Sequence, residues 1–156
     1  MPFKTGYLLS KMLVLTTNAH QGQYDKAGLP YILHPLKVMH YLKTDDEELQ
    51  CIALGHDLLE DTIVTCQDIL NNFNDRIYSG INALTKLPDQ SQESYEQQVL
   101  DSYDAMRVKL CDLRHNSDIR RLKGLREKDF TRLNKYCKFY QRIKDRLNDQ
   151  NKERGI

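Results

Sequence analysis

Apolar residues recur along this chain at spacings of three and four, the period of an amphipathic helix. No stretch alternates convincingly as a half-buried strand would. Residues 4–20 set Leu8, Leu9, Met12, Leu13 and Leu15 on one broad stripe. Gly22, Gly28 and Pro30 interrupt the pattern, so residues 21–33 read as a loop. Pro35 suits the first turn of a second helix bearing Leu36, Val38, Met39 and Leu42. Thr44 and Glu47 read as a capping box opening a third helix, which runs through Leu49, Ile52, Ala53 and Leu54 to about Glu60. Thr65 with Asp68 opens a short helix, and Asp75 caps the next, which carries Ile77, Ile81 and Leu84. A polar loop from Pro88 to Ser94 precedes helices near 93–104 and 105–117. Leu133, Tyr136, Tyr140, Ile143 and Leu147 mark a long final helix, whose polar end is expected to fray as a flexible tail after Asn148. The expectation is an all-α fold, a single domain over residues 1–156 with its core at about 5–147 and roughly seven or eight helices.

Composition narrows the class. Of 156 residues, 40% are hydrophobic and 29% charged, which supports a packed core and argues against disorder. No apolar run approaches the ~18 residues of a membrane helix, so no membrane partner is expected. Met1-Pro2-Phe3-Lys4 carries no signal-peptide pattern. Cys51, Cys66, Cys111 and Cys137 are far apart and fall in otherwise apolar helical patterns. They read as reduced thiols of a cytoplasmic protein. Net charge is +1, but the two parts of the chain differ sharply. Residues 1–106 hold 7 Lys/Arg and 15 Asp/Glu; residues 107–156 hold 16 Lys/Arg and 7 Asp/Glu. Such asymmetry suits helical surfaces that attract each other. It also suits a positive wall facing an anionic substrate or RNA.

The chemistry concentrates at His56-Asp57-Leu58-Leu59-Glu60-Asp61-Thr62. On a continuous helix Glu60 would stand one turn above His56, and Asp61 one turn above Asp57. Three carboxylates this close repel one another unless a cation lies among them. A bland charged helix end explains them poorly, because carboxylates at a helix C-terminus oppose the macrodipole. His with Asp suits manganese, iron or zinc. Completing a coordination shell needs residues from elsewhere, and His20, His34, His40, Asp112 and His115 are the candidates. His34 stands at a loop-to-helix junction, and Asp112 is an acid on an otherwise mostly apolar helix, where it needs a partner. His40 reads as packing or surface. His20 and His115 could orient ligands from behind.

The segments Ala19-His20-Gln21-Gly22-Gln23-Tyr24-Asp25-Lys26-Ala27-Gly28-Leu29-Pro30-Tyr31-Ile32-Leu33-His34-Pro35, His56 to Thr62, and Val108-Lys109-Leu110-Cys111-Asp112-Leu113-Arg114-His115-Asn116 occur in that order. Together they resemble the metal-dependent HD phosphohydrolases, whose signature is His … His-Asp … Asp. Within that superfamily they resemble the hydrolase domain of RelA/SpoT homologues and the stand-alone small alarmone hydrolases. The resemblance runs from about residue 5 to 147. It implies an HD-type helical domain with a metal site between helices, and metal ligands His34, His56, Asp57 and Asp112, usually holding Mn2+. It implies catalytic roles for Glu60 and Asp61 in positioning or activating water. Lys26 and Asn116 would bind substrate, a nucleotide polyphosphate. The implied reaction is removal of the 3′-pyrophosphate of (p)ppGpp, giving GDP or GTP and pyrophosphate, as in the stringent response.

The chain also departs from that branch. Asp25 stands where an Arg expected to stack on the base is usual, and as a carboxylate it would repel phosphate. The Arg expected after Asp112 is Leu113, with Arg114 one place later. These departures leave the base open, guanine or adenine. Alternative readings are an HD phosphomonoesterase acting on a 5′-nucleotide or on the NADPH 2′-phosphate, and removal of pyrophosphate from a tRNA 3′ end. The last would act as an antitoxin against a toxin synthetase. A non-catalytic nucleotide sensor is disfavoured, because no ligand or carboxylate of the signature is lost.

Overall fold

The computed structural model describes residues 5–155. Among them the backbone forms helices joined by short loops, with a lone bridge between Tyr24 and Pro30 as the sole β pairing. The helices are α1 (Tyr7–Ala19), α2 (Leu33–Leu42), α3 (Glu47–Gly55), α4 (Leu58–Asp61), α5 (Cys66–Asn72), α6 (Asp75–Leu84), α7 (Gln92–Leu100), α8 (Tyr103–Asn116) and α9 (Glu127–Arg154). A 3-10 turn lies at Ile119–Arg121. The all-α expectation therefore holds, with one more helix than the sequence pattern resolves. The extra element arises because the expected third helix breaks at His56-Asp57 into α3 and the single turn α4.

Helix starts follow local side-chain chemistry. Ser91 and Ser102 cap α7 and α8 by accepting the N–H groups of Ser94 and Ala105. Thr65 and Asp68 form the expected capping box of α5. Two other caps are shifted by one or two residues. Asn74, not Asp75, caps α6, and Asp46, not Thr44, caps α3. Glu47 does not reach back to Thr44; its Oε1 accepts the Leu9 N–H at 2.9 Å. α1 begins after Gly6, which has no side chain to cap it, and Glu47 supplies the missing acceptor from across the core. At the other end of the chain, α9 runs on to Arg154, past the expected end of helical pattern at Asn148.

α3 is the central element: Leu49, Cys51, Ile52, Ala53 and Leu54 are all fully buried. It packs against α1, α2, α6 and α8. The approach of α6 is close enough that a Cβ at Gly55 would stand 2.6 Å from Ile81 Cδ1, and one at Gly80 would collide with Ile52. Gly55 thus seats α3 against α6 immediately before His56. Phe139 and Ile143 anchor α9, with Tyr136, Tyr140 and Leu147 packed around them. All four cysteines are free; Cys51 is buried, whereas Cys66 and Cys137 are exposed rather than apolar-packed. The two oppositely charged parts of the chain do meet, in ion pairs Asp25–Arg121 and Glu96–Arg142. No helix among the described residues is long and apolar enough to cross a membrane.

Candidate metal centre

α2, α3 and α8 pack pairwise, and their contact brings together four residues distant in sequence. His34 stands in the first turn of α2, His56 and Asp57 in the break between α3 and α4, and Asp112 in α8. The two imidazole Nε2 atoms are 3.3 Å apart. Asp57 Oδ2 lies 3.6 Å from His34 Nε2 and 3.0 Å from His56 Nε2. Asp112 Oδ1 lies 3.1 and 3.6 Å from the same two nitrogens. Two ligands each ~2.1 Å from one ion sit about 3.0–3.4 Å apart at tetrahedral or octahedral angles. The spacing of His34, His56 and Asp57 therefore fits a shared cation, and Asp112 approaches the same two imidazoles from α8.

The break in the helix makes this possible. Asp57 adopts φ −102°, ψ −2°, so it leaves the regular α-helix while its carbonyl still accepts the Asp61 N–H at 3.0 Å. The His56 and Asp57 side chains then converge on His34, which a straight helix would not permit.

The surrounding hydrogen bonds fix what these atoms can do. His56 Nδ1 donates to the Ala53 carbonyl at 2.7 Å, which leaves Nε2 of a neutral ring as a bare acceptor facing two carboxylates. Acceptors in such contact need a proton or a cation between them. With no cation, the proton is held tightly. Burial alone would lower the His56 pKa, but Asp57 and Asp112 raise it well above the ordinary value. Burial would raise both aspartates, yet His56 brings Asp57 down to about 2, and Lys109 with the two imidazoles holds Asp112 far below its usual range. A divalent cation would replace that proton, so the donor set fits a metal of the kind nitrogen and carboxylate ligands select.

Each aspartate is held by further hydrogen bonds, from Tyr31 and Asn116 on the oxygens that face the imidazoles and from Lys109 on the far oxygen of Asp112. Tyr31 OH donates to Asp57 Oδ2 at 2.6 Å. Lys109 Nζ donates to Asp112 Oδ2 at 2.8 Å, and Asn116 Nδ2 to Asp112 Oδ1 at 2.7 Å. Lys109 is the partner a buried Asp112 requires. The Tyr31 and Lys109 contacts were not found from sequence. A buried acid three residues beyond a lysine on one helix was the only signal for Lys109.

His115 and His20 sit where ligand-orienting groups would, by different routes. His115 Nδ1 is 2.7 Å from His34 Nδ1, with the rings stacked at 5.0 Å. Burial, Arg121 and His34 depress the His115 pKa to about 4, so the ring is neutral and its Nδ1 can accept a hydrogen bond from His34 Nδ1–H. His20 is one step further away. Its Nδ1 donates to Gln23 Oε1 at 2.8 Å, its ring lies 4.9 Å from that of Tyr31, and its buried Nε2 makes no hydrogen bond among the described residues. His40 is exposed.

Glu60 and Asp61 open toward solvent beside the centre. The surrounding protein raises both pKa values, with Asp57 adding repulsion. Glu60 accepts the Lys86 N–H; Asp61 is held through its backbone, whose carbonyl accepts from Gln23 Nε2 at 2.8 Å.

A cleft of about 320 Å³ opens onto His34 and is lined by Tyr24, Asp25, Lys26, Tyr31, Asn116, Arg121 and Tyr136, among others. Lys26 and Asn116 both line this cleft. Asp25 does not project as an unpaired negative charge. Its Oδ1 accepts the Ala27 and Leu29 N–H groups at 2.8 and 2.9 Å, tying its own loop, and its Oδ2 pairs with Arg121 at 2.8 Å. The expected repulsion of phosphate is offset by that guanidinium. Arg114 does not line this cleft; it stacks on Tyr41 at 4.0 Å, and Arg121 is the arginine that does.

Comparison with known proteins agrees with this geometry. The family model described as HD domain matches residues 13–122, which carry all four converging residues. The chain belongs to the HD-domain family. Among related proteins of this HD chain is the guanosine-3′,5′-bis(diphosphate) 3′-pyrophosphohydrolase of Borreliella burgdorferi. It is 37% identical over 81 residues, 51% of this chain and 12% of the relative. The bifunctional (p)ppGpp synthase/hydrolase SpoT of Escherichia coli is 32% identical over 122 residues, 69% of this chain and 17% of the relative. The HD chain thus spans under a fifth of the length of these curated relatives. A solved structure of a metazoan ortholog of SpoT, reported to hydrolyse ppGpp, superposes with a TM-score of 0.73 at 19% identity, covering 96% of both chains. At that identity the likeness establishes the shared helical fold.

Proposed function

We propose that this chain is a metal-dependent 3′-pyrophosphohydrolase of (p)ppGpp-type alarmones, acting in the cytoplasm. The observation that carries the reading is the convergence of His34, His56 and Asp57 on one point, with Asp112 Oδ1 3.1 Å from His34 Nε2 on the α8 side, beside a cleft that Lys26 lines. These four would be the ligands, and Mn2+ is the expected ion. When bound, it would supply Lewis-acid neutralisation of phosphate oxygens and a more acidic water. Asp61 and Glu60, next to the ligands, would orient that water. Asp61 is the better proton acceptor, because the Lys86 N–H already occupies a Glu60 oxygen. Lys26 would hold the pyrophosphate as a point charge, and Asn116 would face the substrate while keeping Asp112 in register. The bond broken joins the ribose 3′ oxygen to phosphorus or lies beyond it; release of intact pyrophosphate places it at the first phosphorus. The water oxygen joins that phosphorus, the 3′ oxygen leaves with a proton, and the products are GDP or GTP plus pyrophosphate.

The names of the relatives support the guanine substrate. The test is a panel of guanine and adenine 3′-pyrophosphates, a pyrophosphorylated tRNA and NADPH, incubated with manganese and separated by chromatography. Release of pyrophosphate from the alarmone, lost in His56→Ala, is expected. Release of orthophosphate only, or equal activity in His56→Ala, would overturn the reading.

A further inference from the structure

Beyond the cleft lies a second basin, of about 660 Å³, at the N-terminal end of α9. Lys26, Ala27, Leu122 and Arg132 line both, so cleft and basin form one continuous depression leading away from the metal centre. Five cations line the basin: Lys26, Lys123, Arg126, Lys128 and Arg132. Its one carboxylate, Asp129, is buried and already committed. It accepts the Arg126 backbone N–H at 2.9 Å and the Arg132 guanidinium at 2.8 Å. Lys26, Lys123 and Lys128 make no ion pair among the described residues. Crowded like charges are unfavourable without an anion, and the N-terminal end of a long helix adds further positive potential. The Lys26 pKa is lowered first by burial and then by Arg132 and Lys128, against an opposing pull from Asp129.

We propose that this basin binds a second phosphate group of the substrate, carried on the 5′ end of the nucleoside whose 3′-pyrophosphate lies at the metal centre. The proposal rests on the hydrolase reading above and adds where the far end of the nucleotide sits. The nucleoside spans the cleft past Tyr24 and Tyr136, and the 5′-oligophosphate meets Lys123 and Lys128. The concentration of charge favours a compact oligophosphate over an RNA backbone. A 5′-diphosphate places several charges on two phosphorus atoms, whereas a diester chain carries one per phosphate.

The test uses the full chain with manganese and two substrates that differ only at the 5′ end: guanosine 3′,5′-bis(diphosphate) and guanosine 3′-diphosphate. Wild type should show a KM lower by about tenfold or more for the first. Lys123→Gln/Lys128→Gln should raise that KM about tenfold with kcat little changed, and leave the KM of the second substrate unmoved. Equal wild-type KM values, or a variant that raises both alike, would overturn the subsite. A short RNA ending in a 3′-pyrophosphate that outcompetes the free nucleotide would overturn it in favour of a polynucleotide. Calorimetric titration of GDP, which carries only the 5′-diphosphate, reads the basin without turnover. Weaker GDP binding by the double variant with no pyrophosphate released from either substrate would sink the hydrolase reading while leaving the anion site. Unchanged GDP binding would sink the anion site itself.

Discussion

The metal centre and the basin beside it solve opposite problems. At the centre, each side chain is over-determined: Asp57 by Tyr31, Asp112 by Lys109 and Asn116, His34 by His115, His56 by a backbone carbonyl. In the basin, Lys26, Lys123 and Lys128 are exposed and make no ion pair among the described residues. The contrast follows from what each must hold. An ion tolerates only narrow ligand geometry, so its ligands must be fixed before it arrives. A flexible oligophosphate can be met by long, solvated point charges that adapt to it. Damage should accordingly be steep in the first region and graded in the second.

Several measurements can break or sharpen that contrast. The largest effect is expected at the ligands: Asp57→Asn or His56→Ala should cut turnover by about 10³-fold or more and abolish tight metal uptake, read by kinetics and by metal analysis of the purified protein. Removing Lys109 leaves the Asp112 charge buried and unpaired, so Lys109→Met should cost about 3 kcal/mol or more of stability in the metal-free protein. Urea unfolding checks this, and excess manganese should recover part of the loss by binding only the folded state. Tyr31→Phe frees one Asp57 oxygen and should weaken metal affinity about 10- to 100-fold while leaving the fold intact; a metal titration decides it.

Protonation offers a gentler comparison. In the metal-free protein Asp61 should titrate above the ordinary aspartate value, through burial and repulsion by Asp57. Asp25 should titrate below it: burial opposes, but Arg121 and two backbone N–H groups prevail. Magnesium, added as a diamagnetic substitute, should lower the Asp61 value by offsetting Asp57 and leave Asp25 nearly fixed. Carboxyl NMR shifts against pH would show it; equal movement of the two would mean that the regions are not electrostatically separate. The smallest effect belongs to a site remote from both. Thr65→Ala removes the capping box of α5 and should cost about 1 kcal/mol with turnover unchanged.

Helix content and most core positions were legible because they depend on residues three and four apart. Ile52, Leu54, Ile77, Ile81 and Ile143 are buried where the period put them. Caps were legible when their partner was local, as with Thr65 and Asp68, and misread when it was not. Glu47 serves α1, 38 positions away. The same division runs through the site. The identities of the four acceptors lay in short motifs, but the break that turns His56 and Asp57 toward His34 did not, because it depends on α3 being seated against α6 and α8.

The order of residues alone determined a helical domain and an acid- and histidine-rich chemistry suited to a divalent cation, since both are written in local periodicity and side-chain type. Only the tertiary structure decided that Tyr31 and Lys109 hold the aspartates, that Asp25 is neutralised by Arg121 from 96 positions away, and that lysines from the α1–α2 loop and the α9 end share one basin. Those outcomes depend on which helices pack together, and contacts over such separations leave no mark on the spacing of residues along the chain.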